Sequence, residues 1–196
     1  TSAHGISEIP AVMTDNRIPS GYFRQNQSLQ LLRSYLNVIY GEGDWVKGYH
    51  EKQIFLNRIL IEDAKIPLED IQRKVARFMV QFSGVSTAYP YSAFEANDYG
   101  NGNLRRILNS FSPQRSGDVI ITLFPGWVEK SDYVTDYNSP YSYNVHVPLI
   151  WYGWAVNKAS VLRKVNITDI AATLSSLCRV PFPNASAGEM LIELVR

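Results

Sequence analysis

The chain has 196 residues, 45% hydrophobic and 19% charged, and its 19 Lys+Arg against 18 Asp+Glu leave a net charge of +1. That is one domain, or one large piece of a domain, with apolar side chain enough for a packed core. It carries no basic field of the kind that draws in nucleic acid or anionic lipid, and no run nears the roughly 18 apolar residues of a membrane span.

The first ten residues, TSAHGISEIP, lack an initiator Met. The Ala3-His4-Gly5 step reads as the tail of a strand and the start of a site, so the chain is expected to begin mid-site. SLQLLRSYLNVIYGEGD reads as a helix: Ser28 suits its N-cap, Leu29, Leu32, Leu36 and Ile39 recur at helical spacing, and Gly41 and Gly43 end it. WVKGYHEKQIFLN reads as extended and RILIEDAK as a short helix. PLEDIQRKVARFMVQF carries the clearest helical pattern, with Pro67 in the first turn and Glu69 and Asp70 complementing the dipole. Its stripe of Leu68, Ile71, Val75, Phe78, Met79 and Phe82 is expected to face the core.

GVSTAYPYSAF reads as a strand broken at Pro90, and NLRRILNSF as a short helix. DVIITLF and VPLIWYGW are short apolar runs that fit strands buried on both faces of a parallel or mixed sheet. Between them, 118–146 holds a long, Tyr-rich loop, of a length usually kept for function. ITDIAATLSSLCRV reads as a helix with Thr168 as N-cap and Ile170, Leu174 and Leu177 inward. The lone Cys178, which can form no internal disulfide, reads there as a small buried hydrophobe. Strands alternate with helices, so the fold class is α/β, a mixed or mainly parallel sheet flanked by helices.

Candidate chemistry is sparse. Sites in α/β sheets gather at strand ends. His4 follows one presumed end, with Gly5 permitting a sharp turn, and His146 stands just before VPLIWYG. Either is a reasonable metal ligand or an ordinary surface histidine. His50, among charged neighbours, reads as surface, and Asp132 and Asp136 read as solvated loop carboxylates. No G-x-S-x-G, P-loop, dinucleotide fingerprint or H-E-x-x-H occurs.

Taken together, HVPLIWYGW and VNITDIAATLSSLCRVPFPNASAGEMLIEL resemble the C-terminal end of the alkaline phosphatase superfamily. The branch is that of bacterial alkaline phosphatases related to nucleotide pyrophosphatase/phosphodiesterases. TSAHG resembles the T-A-D-H-G step of that family, and GYHEKQIFLNRILIE, RSGDVIITLFPGWVE and SPYSYNVHVPL extend the likeness along nearly the whole chain. Residues 1–196 then form the C-terminal portion of one alkaline-phosphatase-like domain, with 44–117 as an inserted α+β subregion.

The resemblance implies cleavage of phosphate esters with two zinc ions, one activating a Thr or Ser nucleophile and the other stabilising the leaving oxygen. His146 would ligate the leaving-group zinc and His4 the nucleophile-side zinc. Ala3 stands where the family places an Asp ligand. The nucleophile and the remaining ligands match no segment of this chain, so no catalytic residue is assigned and the chain alone is expected to be inactive. The resemblance further implies a small phosphate-ester substrate, a periplasmic or secreted location, and pairing with an N-terminal portion of the same protein or a second copy, without nucleic acid or membrane. The alternatives are a phosphodiesterase or sulfatase of the same superfamily, or a non-catalytic relative whose metal site has eroded, which Ala3 favours.

Overall fold

The computed structural model describes residues 1–95, 102–130, 135–153 and 156–194. They fall into two compact units, Ser2–Val147 and, with Thr1, Pro148–Arg196.

In the first unit the order is α1 (Pro10–Asp15), β1 (Gly21–Phe23), α2 (Gln25–Tyr40), β2 (Val46–His50), β3 (Gln53–Leu56), α3 (Arg58–Asp63), α4 (Leu68–Met79), β4 (Val85–Pro90), α5 (Tyr91–Glu95), α6 (Asn103–Ser110), β5 (Val119–Leu123), β6 (Trp127–Glu129) and α7 (Ser142–Val145). The second unit holds α8 (Asp169–Cys178) and a terminal 3₁₀ turn at Ile192–Leu194. The class is α/β, with helices flanking two sheets. A four-stranded antiparallel sheet runs β2-β3-β5-β4, and the parallel pairing is that of β1 with β6.

The amphipathic stripe of α4 does what its spacing predicts. Ile71, Val75 and Met79 are fully buried, and the helix packs on β4 and β5 and against α2. β5 is buried on both faces, as its apolar run suggests: Val119, Ile121 and Leu123 join the core while Thr122 reaches Thr87 across the sheet. Gly84 turns the chain from α4 into β4 at φ +93, a conformation that penalises any side chain. A Cβ there would also lie 2.2 Å from the Trp127 ring, which rests against it.

One buried carboxylate ties these layers. Asp118, 3% exposed, accepts from the Leu56 amide (2.8 Å), Arg58 Nε (2.9 Å) and Gln72 Nε2 (3.1 Å). β3, the start of α3, α4 and the approach to β5 thus converge on one side chain. A second polar link joins the two sheets: Tyr49 of β2 donates its phenol to Glu129 of β6. Burial, then the Glu129 charge, pushes the Tyr49 phenol far above its usual range, so it remains a donor. Burial likewise raises the Glu129 carboxyl, against the opposing pull of the Tyr49 bond and Lys52.

Four expectations are corrected. The second helix begins at Gln25, so Ser28 is no N-cap; its hydroxyl bonds back to the Arg24 carbonyl. The described residues of VPLIWYGW form no strand, because none of them pairs with another strand; Ile150 and Tyr152 are exposed. Within residues 118–146 the strand read in DVIITLF is present as β5, but the expected long loop is interrupted by β6 and α7. In α8, Leu174 and Cys178 are exposed while Ala172, Thr173 and Ser175 are buried, so the helix is rotated from the reading that followed its aliphatic residues. Thr168 stands at the N-cap without a side-chain capping bond. The Asp169 carboxylate takes the amides of Asn166 (2.8 Å) and Glu189 (3.0 Å) instead, and these two bonds lower its pKa.

Two predictions follow from the buried carboxylates. Asp118→Ala strands the buried Leu56 amide and Gln72 and is expected to cost about 3 kcal/mol of stability, measured by urea unfolding. Glu129 binds its proton more tightly folded than unfolded, so its contribution is fully present below its ordinary value of 4.5 and is lost as pH rises through the raised one. Glu129→Gln, which keeps an acceptor for Tyr49, should therefore gain stability relative to the parent as pH climbs above that value; a constant difference across pH would count against this account.

Candidate functional site

The segment around His4 and the segment around His146 are brought together by a backbone clamp. The Gly5 amide donates to the Asn144 carbonyl (2.7 Å), and Asn144 Nδ2 donates back to the Gly5 carbonyl (2.9 Å). Asn144 is buried, and its Oδ1 accepts from the Ser139 hydroxyl. Gly5 is required by this close approach, since a Cβ would lie 2.0 Å from the Tyr143 carbonyl oxygen. His4 thus stands one residue before the clamp, and His146 two residues after it.

Each histidine is held by its own local structure. His146 is the C-cap of α7, its amide bonded to the Ser142 carbonyl at 2.8 Å. α7 is itself moored to β5, because the Tyr141 hydroxyl donates to the Leu123 carbonyl (2.8 Å). Burial raises the Tyr141 phenol, which keeps this donor protonated. The His4 ring stacks on Tyr137 with centroids 4.3 Å apart and planes 15° from parallel. His4 Nδ1 lies 3.0 Å from the Gly5 carbonyl. A carbonyl can only accept, so Nδ1 is the donor in this contact, which leaves Nε2 as the ring nitrogen for a ligand. Metal-binding histidines are commonly oriented this way, by a carbonyl on the far nitrogen.

Tyr137 rides on a loop fastened at two further points. Ser7, buried, uses its amide (3.0 Å) and hydroxyl (2.7 Å) on the Asp136 carbonyl. The buried Lys52 ammonium lies 2.6 Å from the Asp136 carboxylate and 2.6 Å from the Asn138 carbonyl. Asp136 is therefore an ion-paired loop anchor and not the solvated carboxylate its surroundings suggest, while Asp132 lies outside the described residues. His50 is exposed at the end of β2, 3.9 Å from Glu51.

Zinc takes four ligands, commonly imidazole with carboxylate or thiolate. Among the described residues no group of three His, Cys, Asp or Glu side chains is placed to hold a metal ion. Ala3 offers no ligand atom beside His4. The two imidazoles are exposed and available, but they do not by themselves complete a zinc site. Sequence reasoning missed Tyr137, Asn144, Ser7 and Lys52, whose roles arise from contacts across more than eighty residues of chain and leave no local spacing to read.

No family model matches the chain. Among curated proteins it is 26% identical over 194 residues to a protein of Myroides odoratus named calcium-transporting ATPase. It is 23% identical over 193 residues to alkaline phosphatase PafA of Elizabethkingia meningoseptica, and 24% identical over 198 residues to alkaline phosphatase PhoV of Synechococcus elongatus. These alignments cover 98–100% of this chain but 35% of each relative, so the chain spans about a third of their length. The crystal structure of wild-type PafA superposes with a TM-score of 0.88 at 23% identity, covering 98% of this chain and 37% of that one. In fold, and in sequence along nearly its whole length, the chain matches a C-terminal portion of the alkaline phosphatase superfamily.

Proposed function

We propose that the chain is the C-terminal part of a metal-dependent phosphoester hydrolase of the alkaline phosphatase type, with His146 and His4 as ligands of two zinc centres. The observation that carries this reading is the Gly5–Asn144 clamp, which joins the two segments that carry the family-matching histidines, with His4 Nδ1 held at the Gly5 carbonyl. Hydrolytic attack at phosphorus is also what the names phosphatase and ATPase have in common. Zinc, when bound, supplies a Lewis acid and charge for the leaving oxygen. This chain's residues contribute imidazole ligands and their orientation. The nucleophile and remaining ligands come from another portion of the protein, so the chain alone is inactive.

That other portion is also the partner we propose for the Pro148–Arg196 unit. There Ile150 (77% exposed), Leu162 (97%), Ile167 (71%) and Tyr152 present apolar surface beyond the scattered exposure of a finished domain. By the same reading the protein acts in the periplasm or is secreted; no helix among the described residues is long and apolar enough to cross a membrane. The substrate is a small phosphate ester, and monoester, diester and sulfate preference is set outside this chain. A second reading, a non-catalytic relative with an eroded metal site, is favoured by Ala3 alone.

The test is hydrolysis of 4-nitrophenyl phosphate by the protein that carries this chain, with its zinc content measured in parallel. His146→Ala and His4→Ala are each expected to lower kcat/KM by about 100-fold or more and to reduce bound zinc. Gly5→Ala, which alters no ligand, should do the same by forcing the clamp apart. Zinc binding and hydrolysis unchanged in both histidine variants would overturn the assignment, and a parent with neither property would favour the eroded relative.

A further inference from the structure

We infer that Lys52 is a positioning residue, whose ammonium fixes the loop carrying Tyr137 and so sets the orientation of the His4 ring. Lys52 sits at the tip of the β2–β3 hairpin, and its side chain is 7% exposed. A buried ammonium is costly unless paired and hydrogen-bonded. Here it is both, on the Asp136 carboxylate and the Asn138 carbonyl, the residues on either side of Tyr137.

The hairpin's own geometry brings the side chain there. Its two-residue turn puts Glu51 at φ 45 and Lys52 at φ 65. Left-handed backbone at both positions is normally left to Asn or Gly, and costs other residues about 1 kcal/mol each. Neither turn residue has the side chain that relieves this. The turn does, however, deliver the Lys52 side chain inward to the loop.

From there the connection is continuous. The Asp136 carbonyl receives the amide and hydroxyl of Ser7, Tyr137 stacks on His4, and Gly5 closes on Asn144. Three segments distant in sequence, 4–7, 52 and 136–144, share one contact set, and Lys52–Asp136 is its only ion pair among the described residues. A cavity of about 240 Å³ adjoins it, lined in part by Lys52, Asp136, Asn138 and Tyr141. A small alkylammonium could enter there. The functional meaning rests on His4 as a metal ligand; the geometry does not, and is tested without metal.

The experiment is solution NMR on the whole protein that carries this chain, with selectively labelled His, Tyr, Ser, Ile and Val, reading cross-peaks between the His4 and Tyr137 rings and hydrogen exchange at the Ser7 amide. Lys52→Ala is expected to abolish the ring cross-peaks and speed Ser7 exchange about tenfold, while Ile71 and Val75 methyl signals stay in place. Added ethylammonium should restore both, and the exposed Lys47→Ala should change neither. Persistence of the cross-peaks in Lys52→Ala would overturn the inference, as would their loss together with the core signals. Should Lys52→Ala not fold, Asp136→Asn removes the ion pair while keeping the carbonyl that Ser7 uses. Loss of the cross-peaks in that variant supports the inference; their persistence, or failure of both variants to fold, overturns it. Zinc titration separates the two ideas: cross-peaks lost in Lys52→Ala, with zinc affinity equal in parent and His4→Ala, would fault the metal reading and leave Lys52 as the residue that sets the ring.

Discussion

The satisfaction of a single buried carboxylate organises the larger unit. Asp118 sits where the sheet, α3 and α4 meet, and water is excluded around it, so its oxygens must be met by the protein. The Leu56 amide, Arg58 and Gln72 meet them, each from a different element. That requirement sets how β3 lies beside β5 and how α4 crosses beneath them. The β2–β3 hairpin projects from this anchored frame, and its tip supplies the cation that holds the 136–138 loop. The geometry around His4 thus descends from a core constraint through a surface hairpin.

Much of this frame is legible in the sequence, for physical reasons that differ by element. α4 could be read because its apolar residues keep one period through twelve residues and all face one core. The hairpin could be read as extended because Ile54 and Leu56 alternate with half-buried neighbours. VPLIWYGW misleads because apolar content marks only what could be buried; a strand also needs a hydrogen-bonding neighbour, which its described residues lack. α8 misleads for a related reason. Its core-facing positions are taken by Ala172, Thr173 and Ser175, small residues that allow close packing, and not by its aliphatic ones.

The candidate site divides similarly. His4 and His146 stand in short stretches that resemble motifs of the family, which is enough to select them as candidates. Nothing local marks Asn144 as a clamp or Tyr137 as a stacking platform, since each acts on a residue more than 130 positions away. Lys52 is harder still, because a Glu-Lys pair in a hairpin tip reads as solvent-facing charge. Only the contacts of its ammonium with Asp136 and Asn138 show that the turn holds the loop.

The chain-distance of these contacts also orders events in time. β1 pairs with β6 across roughly a hundred residues, and the Gly5–Asn144 clamp spans 139. Closing such loops from an open chain forfeits much entropy for few contacts, whereas the β2–β3 hairpin closes over two residues. The antiparallel sheet and α4 can condense first and shorten the effective distance between the ends. The histidine segments are then among the last to dock, so the prospective site matures only on a scaffold already complete.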